Sequence, residues 1–177
     1  VSDAVIGGIK AFCCFEHLIE FTKSPPAKKI ARKQVAAHKK EQKEKLKTAG
    51  DYIKEAQVAF NGYIRVRDKN KPCISCGCSP GDMVRGGTFD AGHYRSRGSA
   101  GHLRFHALNC WGQCKKCNRY LSGNVVEYRK RLLLKLGEKR LISLEDDNSI
   151  VRYTIPQLRR IKALYSRRMR LYERKFR

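Results

Sequence analysis

The 177-residue chain has few acids: 16 Asp and Glu stand against 39 Lys and Arg, a formal charge of +23 at pH 7. Such a surplus repels itself in a compact fold unless an anion offsets it, and the natural anion is a phosphate backbone. Long hydrophobic runs are missing too. The partly apolar stretch Ala4 to Phe15 is cut off by Glu16 and His17, well short of the roughly 20 apolar residues that span a bilayer. No signal peptide is recognisable. These absences set the expectation of a soluble protein with no membrane partner, working in a reducing cytosol. No heptad repeat is long enough to specify a coiled coil.

Hydrophobic residues make up 41% of the chain, enough for one modest core with appendages. Its eight cysteines could suggest a secreted disulfide scaffold, but their spacing argues otherwise. Cys73 and Cys76 form one Cys-x-x-Cys pair and Cys114 and Cys117 a second, with 37 residues between Cys76 and Cys114. Each pair aims two thiolates at one ion, and Zn²⁺ accepts four in a tetrahedral structural site. A plain zinc ribbon separates its pairs by about 15–20 residues, so the longer insert carries something extra. Cys78 breaks the paired register; it could compete for the metal, but like Cys110 it reads as a packed thiol. Cys13 and Cys14 are assigned no role.

Helix signals flank this centre. Ser24-Pro25-Pro26 interrupts any helix. Residues 27–47 then carry nine Lys or Arg and two Glu with almost no apolar stripe, which predicts a solvated, partly frayed helix or tail. Thr48 and Asp51 open a helix whose Ile53, Ala56, Phe60 and Tyr63/Ile64 share one face, ending before Asn70-Lys71-Pro72. Arg65, Arg67, Lys69 and Lys71 are left for phosphate. Within the insert, Thr88 to Tyr94 favours strand, with turns at Gly86, Gly87, Gly98 and Gly101, a hairpin that could present His93. A helix follows Asn124 and stops at Gly137. Glu145, Asp146 and Asp147 read as a polar loop. Thr154, Pro156 and Gln157 form a capping box for a last helix. Between Arg152 and Arg177 there are ten basic residues and one acid.

The order His93, Asn109, then Asn118 directly after Cys117 resembles the HNH or His-Me finger nucleases, which fold as two strands and a helix around one catalytic metal. The segments FNGYIRVRDKNKPCISCG, DAGHYRSRG, LRFHALN, QCKKCNRYLSGNVVEYR and RYTIPQL are similar to the NinG (Rap) family of lambda-type phage recombination proteins, from about Asp51 onward. The resemblance implies an α+β, mainly helical fold in which basic helices flank a zinc-stapled ββα-metal core. Residues 1–47 would be a partly flexible basic arm and 48–72 a helix packed on the core. Residues 73–137 would be the zinc-bound core with its following helix, and 138–177 a basic helical segment.

The implied activity is metal-dependent cleavage of DNA, branched forms such as Holliday junctions included, in the cytoplasm of the bacterial host. His93 would be the general base, Asn109 would hold its loop, and Asn118 would offer an oxygen to a catalytic Mg²⁺ or Mn²⁺, distinct from the structural zinc. Arg95, Arg97, Arg119, Arg159, Arg160 and Arg167 are the candidate DNA contacts. Most HNH enzymes have Asp or His just before the base, and this chain has Gly92. Asp90 is the substitute ligand provided the Ala91-Gly92 turn bulges, with His102, His106 and Asn124 as weaker alternatives. Gly92 also supports a second reading, a non-catalytic zinc module that binds DNA for other recombination proteins. Junction resolution would need two cuts and hence a homodimer, with residues 27–67 as the contact.

Overall fold

The computed structural model describes residues 5–6, 9–10, 14–80 and 89–175. Cys13, Gly86, Gly87 and Thr88, assigned above, lie outside the described residues. The chain divides into two compact units, Val1–Lys47 and Thr48–Arg177.

In the first unit, strands β1 (Val5–Ile6) and β2 (Ile9–Lys10) pair antiparallel and are followed by α1 (Phe15–Lys23) and α2 (Pro25–Lys45). Ser24 ends α1 and caps α2: its hydroxyl accepts from the Ala27 N–H at 3.4 Å, and the two prolines occupy the first helical positions. Proline is tolerated there because those amides have no intrahelical acceptor. The helix thus starts two residues before the charged stretch 27–47. No α2 residue is buried, as its charge pattern requires.

The second unit is mainly helical with one small sheet. Helix α3 (Ala49–Arg67) opens on a capping box in which the Thr48 hydroxyl and the Asp51 carboxylate satisfy each other's backbone N–H. It buries Tyr52, Ala56, Phe60, Tyr63 and Ile64. Strands β3 (Phe89–His93) and β4 (Cys110–Cys114) pair antiparallel in unbroken register, from Phe89 opposite Cys114 to His93 opposite Cys110. Helices α4 (Val125–Leu136), α5 (Glu138–Asp146) and α6 (Ile155–Lys175) follow. Thr154 and Gln157 cap α6 reciprocally.

Side chains alternate across a strand, and β4 uses both faces. Cys110 joins the core of α3 and α6 with Phe60, Ile64, Phe105, Leu158 and Tyr165. Trp111 joins a second core with Leu103, Tyr128, Leu132, Leu141 and Leu144. The hairpin is therefore sandwiched between two helical layers, which explains why CWGQC shows no polar alternation. Helices α3 and α6 approach closely at Gly62, where an added Cβ would stand 2.9 Å from Met169 Sδ.

Two expectations are corrected. Glu145 and Asp146 belong to α5, and Glu145 is an anchor: it accepts from Arg129 at 2.8 and 2.9 Å and from the Tyr94 hydroxyl at 2.5 Å. The Ala91-Gly92 bulge is absent, because each β3 residue has its own partner on β4. Among the described residues, no helix is long and apolar enough to cross a membrane.

Candidate metal centre and adjoining cleft

The two Cys-x-x-Cys turns meet. The sulfurs of Cys73, Cys76, Cys114 and Cys117 all lie within 4.8 Å of one another, with Cys76 and Cys114 3.8 Å apart. Backbone N–H groups point at them, Cys114 N to Cys73 Sγ at 3.3 Å and Cys117 N to Cys114 Sγ at 3.4 Å. Such donors stabilise thiolates, the form that binds metal. Without a cation the cluster resists full ionisation. Burial and neighbouring thiols push Cys114 and Cys117 to about 12. Cys76 is held at about 6, where hydrogen bonds, led by that with the Cys78 backbone, outweigh its burial. One negative charge in the cluster opposes the next, and an ion such as Zn²⁺ relieves that opposition; the donor set fits it. Cys78 stands outside the four and contributes its carbonyl, which accepts from Cys73 N at 2.8 Å. Asn124 donates to Cys117 Sγ at 3.6 Å, so it serves this cluster.

Beside the cluster is a cleft of about 520 Å³. Asp90, His93, Arg97, Asn118 and Arg119 line it, joined by Asn61 and Arg65 from α3 and by Ser122 and Gly123. Asp90 and His93 alternate to opposite faces of β3. Both nevertheless line the cleft, with β3 paired to β4 in unbroken register.

His93 is half-buried against Phe60, with ring centroids 5.8 Å apart. Its Nε2 lies 2.9 Å from the Arg104 carbonyl. A carbonyl only accepts, so Nε2 carries the proton and Nδ1 keeps the lone pair, 3.6 Å from Cys110 Sγ. Burial lowers the His93 pKa below 6.5 despite that carbonyl, leaving the ring neutral at pH 7. Asn109 is completely buried. Its Oδ1 accepts from Arg95 N at 2.9 Å, and its Nδ2 donates to the carbonyls of Arg95 at 3.0 Å and Leu103 at 3.3 Å. Asn109 thereby ties the end of β3 to the residue preceding Arg104, the acceptor of His93.

Asp90 accepts from Arg119 through both oxygens, at 2.6 and 2.9 Å, and from Asn118 Nδ2 at 3.0 Å. The Arg119 hydrogen bonds hold its carboxyl below 3.8, against the effect of burial. Asn118 meets Asp90 through its amide N–H, and Arg119 occupies both carboxylate oxygens, so the two side chains are linked as donor and acceptor. They are positioned by different devices: Asp90 by the β ladder, Asn118 by the π-helical turn Lys116–Tyr120 that Cys117 anchors.

Gly92 has a structural cause that periodicity missed. A Cβ there would stand 2.1 Å from the side-chain oxygen of Gln113 on β4. Gln113 is fully buried; its Nε2 donates to Ser75 Oγ at 2.6 Å and to the Gly123 carbonyl, while its Oε1 has no partner among the described residues. A polar residue inside an otherwise apolar strand was the one available signal. Asn61 and Ser122 were also missed, since only packing brings them to the cleft.

Other candidates lie elsewhere. His102 Nε2 is 2.8 Å from the Asp147 carbonyl, and His106 lines a separate groove with Lys139, Arg140 and Asp147. Arg95 donates to the carbonyls of Leu144, Glu145 and Asp147 and to Asn148 Oδ1, clamping the end of α5. Arg159 bonds the Tyr52 hydroxyl at 2.9 Å. Arg160 and Arg167 are exposed on α6.

Residues 16–175 match the family model described as the bacteriophage lambda NinG protein. The chain is 39% identical over 125 residues to "Protein ninG" of Escherichia phage lambda, covering 71% of this chain and 59% of that protein. The same named protein of Escherichia phage 933W is 39% identical over 125 residues, 71% of this chain and 60% of the relative. That of Salmonella phage P22 is 39% identical over 125 residues, with 71% and 59% covered. The chain thus spans about 60% of the length of these curated relatives. No solved structure gives a significant match. With nearly its whole length matched, this chain is a member of the bacteriophage lambda NinG protein family.

Proposed function

We propose that the cleft is the active site of a metal-dependent DNA endonuclease of the His-Me finger type, acting on branched DNA such as Holliday junctions during phage recombination. The observation that carries this reading is the convergence of His93, Asp90 and Asn118 on one cleft bordered by Arg65, Arg97 and Arg119. The chain order of two antiparallel strands followed by a helix supports it.

Phosphodiester hydrolysis needs a base for the attacking water and positive charge around the phosphate. Neutral His93, with its proton fixed on Nε2 by Arg104, offers Nδ1 to take the water's proton. Arg65 and Arg97 attract and orient the phosphate. Asp90 and Asn118 would hold Mg²⁺ or Mn²⁺, which when bound supplies Lewis-acid stabilisation of phosphate and leaving oxygen. The four cysteines would hold a structural zinc. Asn109 acts through His93 by fixing the turn around it.

The test is cleavage of junction DNA with Mg²⁺ or Mn²⁺, comparing wild type with His93→Ala. The expected result is cutting by the wild type and little by the variant. Two observations favour a second reading, a zinc module that binds DNA without cutting it: Gly92 brings no ligand, and Arg119 engages both oxygens of Asp90. Wild type that binds junctions but cuts with neither metal would establish that alternative.

A further inference from the structure

The turn that carries Asn118 and Arg119 also holds Tyr120 and Leu121 out in solvent, 80% and 47% exposed. Single exposed apolar residues are ordinary, but here the exposure is built in. The turn contains Cys117 of the metal cluster, and Gly123 N donates to the Cys117 carbonyl at 2.9 Å. Leu121 N reaches Lys116 O at 3.1 Å, and Asn124 N reaches Leu121 O at 2.7 Å. Ser122, Gly123 and Asn124 take φ of 48°, 87° and 45° in succession, a left-handed run that two non-glycine residues adopt only when surroundings impose it. The imposing contacts are Gln113 and Ser75, which both donate to Gly123 O. The chain is thus folded back on itself directly after an aromatic ring that covers nothing of its own core.

In sequence Tyr120 falls between Arg119 and Ser122, which line the cleft while Tyr120 itself stays outside it, and Lys115 and Lys116 precede it. An aromatic face among phosphate-seeking cations matches the chemistry of a nucleotide, whose base stacks while its phosphate is neutralised. Inside a continuous duplex each base is covered on both faces by its neighbours. An unpaired base offers a face. We propose that Tyr120, with Leu121 beside it, is a stacking platform for an unpaired DNA base adjacent to the phosphate held in the cleft. The protein thereby selects DNA with unpaired bases over continuous duplex. The proposal rests on the reading of the cleft as a DNA phosphate site, and it names the residue that discriminates. The rigid turn keeps the entropic cost of presenting the ring low.

The experiment measures binding of the full zinc-loaded chain to two DNAs of equal length, without added Mg²⁺ or Mn²⁺. One is a continuous duplex; the other has a short central unpaired stretch containing 2-aminopurine, whose fluorescence is quenched on stacking. Tyr120→Ala should weaken binding to the second DNA by about 5- to 150-fold, the range for one lost base–aromatic stack, and abolish the quench. Duplex affinity and the salt dependence of both should hold. Tyr120→Phe should restore binding and quench, because the ring and not the hydroxyl does the stacking. Equal weakening on both DNAs, no weakening, or a Phe variant as poor as Ala overturns the proposal. So does wild type without preference for the unpaired DNA. The side chain is exposed, so unchanged zinc content is expected in every variant. Because binding is read without cleavage, a wild type that binds selectively but never cuts refutes the nuclease reading alone, and one that cuts without this selectivity refutes the platform alone.

Discussion

At His93 the Arg104 carbonyl fixes the tautomer and burial keeps the ring neutral. If it is the general base, cleavage should rise with pH through an apparent pKa below 6.5 and level off above it, since only the deprotonated Nδ1 can accept. A rate that falls over that range, measured under single-turnover conditions, contradicts the assignment. Stability follows the same group. Between 6.5 and the lowered folded value the unfolded chain binds more protons, so the fold loses stability as pH drops through that window. His93→Ala should reduce cleavage by about 10²- to 10⁴-fold, with zinc content and DNA affinity kept, because the imidazole acts on a proton in the transition state. Gly92 gives a sharper contrast. Installing the acid usual in HNH enzymes, Gly92→Asp, should not improve metal use. A side chain there meets Gln113 at the centre of the hairpin, so a lower melting temperature is expected, from overpacking worth about 1–3 kcal/mol. Gly92→Ala should share the loss. A Gly92→Asp chain that melts as wild type and cuts at lower Mg²⁺ would show that Gln113 yields.

The hairpin is an element with little independence. Two strands alone are marginal, and β3–β4 persists because α3 covers one face, α4 and α5 the other, and the cysteine cluster closes its end. One tightly held zinc per chain is expected by elemental analysis. Zinc binding is worth on the order of 10 kcal/mol in small fingers, and Cys73→Ser should lose the metal and unfold the centre. An unchanged melting curve would count against it. Much of this element was readable in advance. Cys-x-x-Cys spacing, the Thr48–Asp51 and Thr154–Gln157 caps and the strand preference around His93 are local patterns, and local chemistry enforces them. Helix α5 was not readable, since its two buried leucines, Leu141 and Leu144, make too short a stripe, and its anchors Arg95 and Arg129 are distant in sequence.

Over the whole molecule, charge is what a partner first meets. Helix α6 packs through Leu158 and Tyr165 and exposes Arg160 and Arg167 on its outer side. If six to ten phosphates are neutralised, affinity for DNA should fall by about 10³- to 10⁵-fold between 50 and 200 mM salt. Arg160→Ala and Arg167→Ala should each reduce the salt slope by about one, whereas Arg95→Ala should lower stability instead, because Arg95 clamps α5 to the hairpin. Near-identical salt slopes in all three variants would mean that α6 does not face the phosphates. The sequence alone determined the charge surplus, the two Cys-x-x-Cys turns and the Thr48–Asp51 and Thr154–Gln157 caps, because these depend on composition or on neighbours a few positions apart. Packing settled the rest. It chose the Nε2 tautomer through a carbonyl eleven residues away, joined Asp90 to Asn118 and Arg119 across the hairpin, and demanded glycine at position 92 because Gln113 fills the space. Those are contacts between segments far apart in the chain, and no local pattern encodes which distant group will lie opposite.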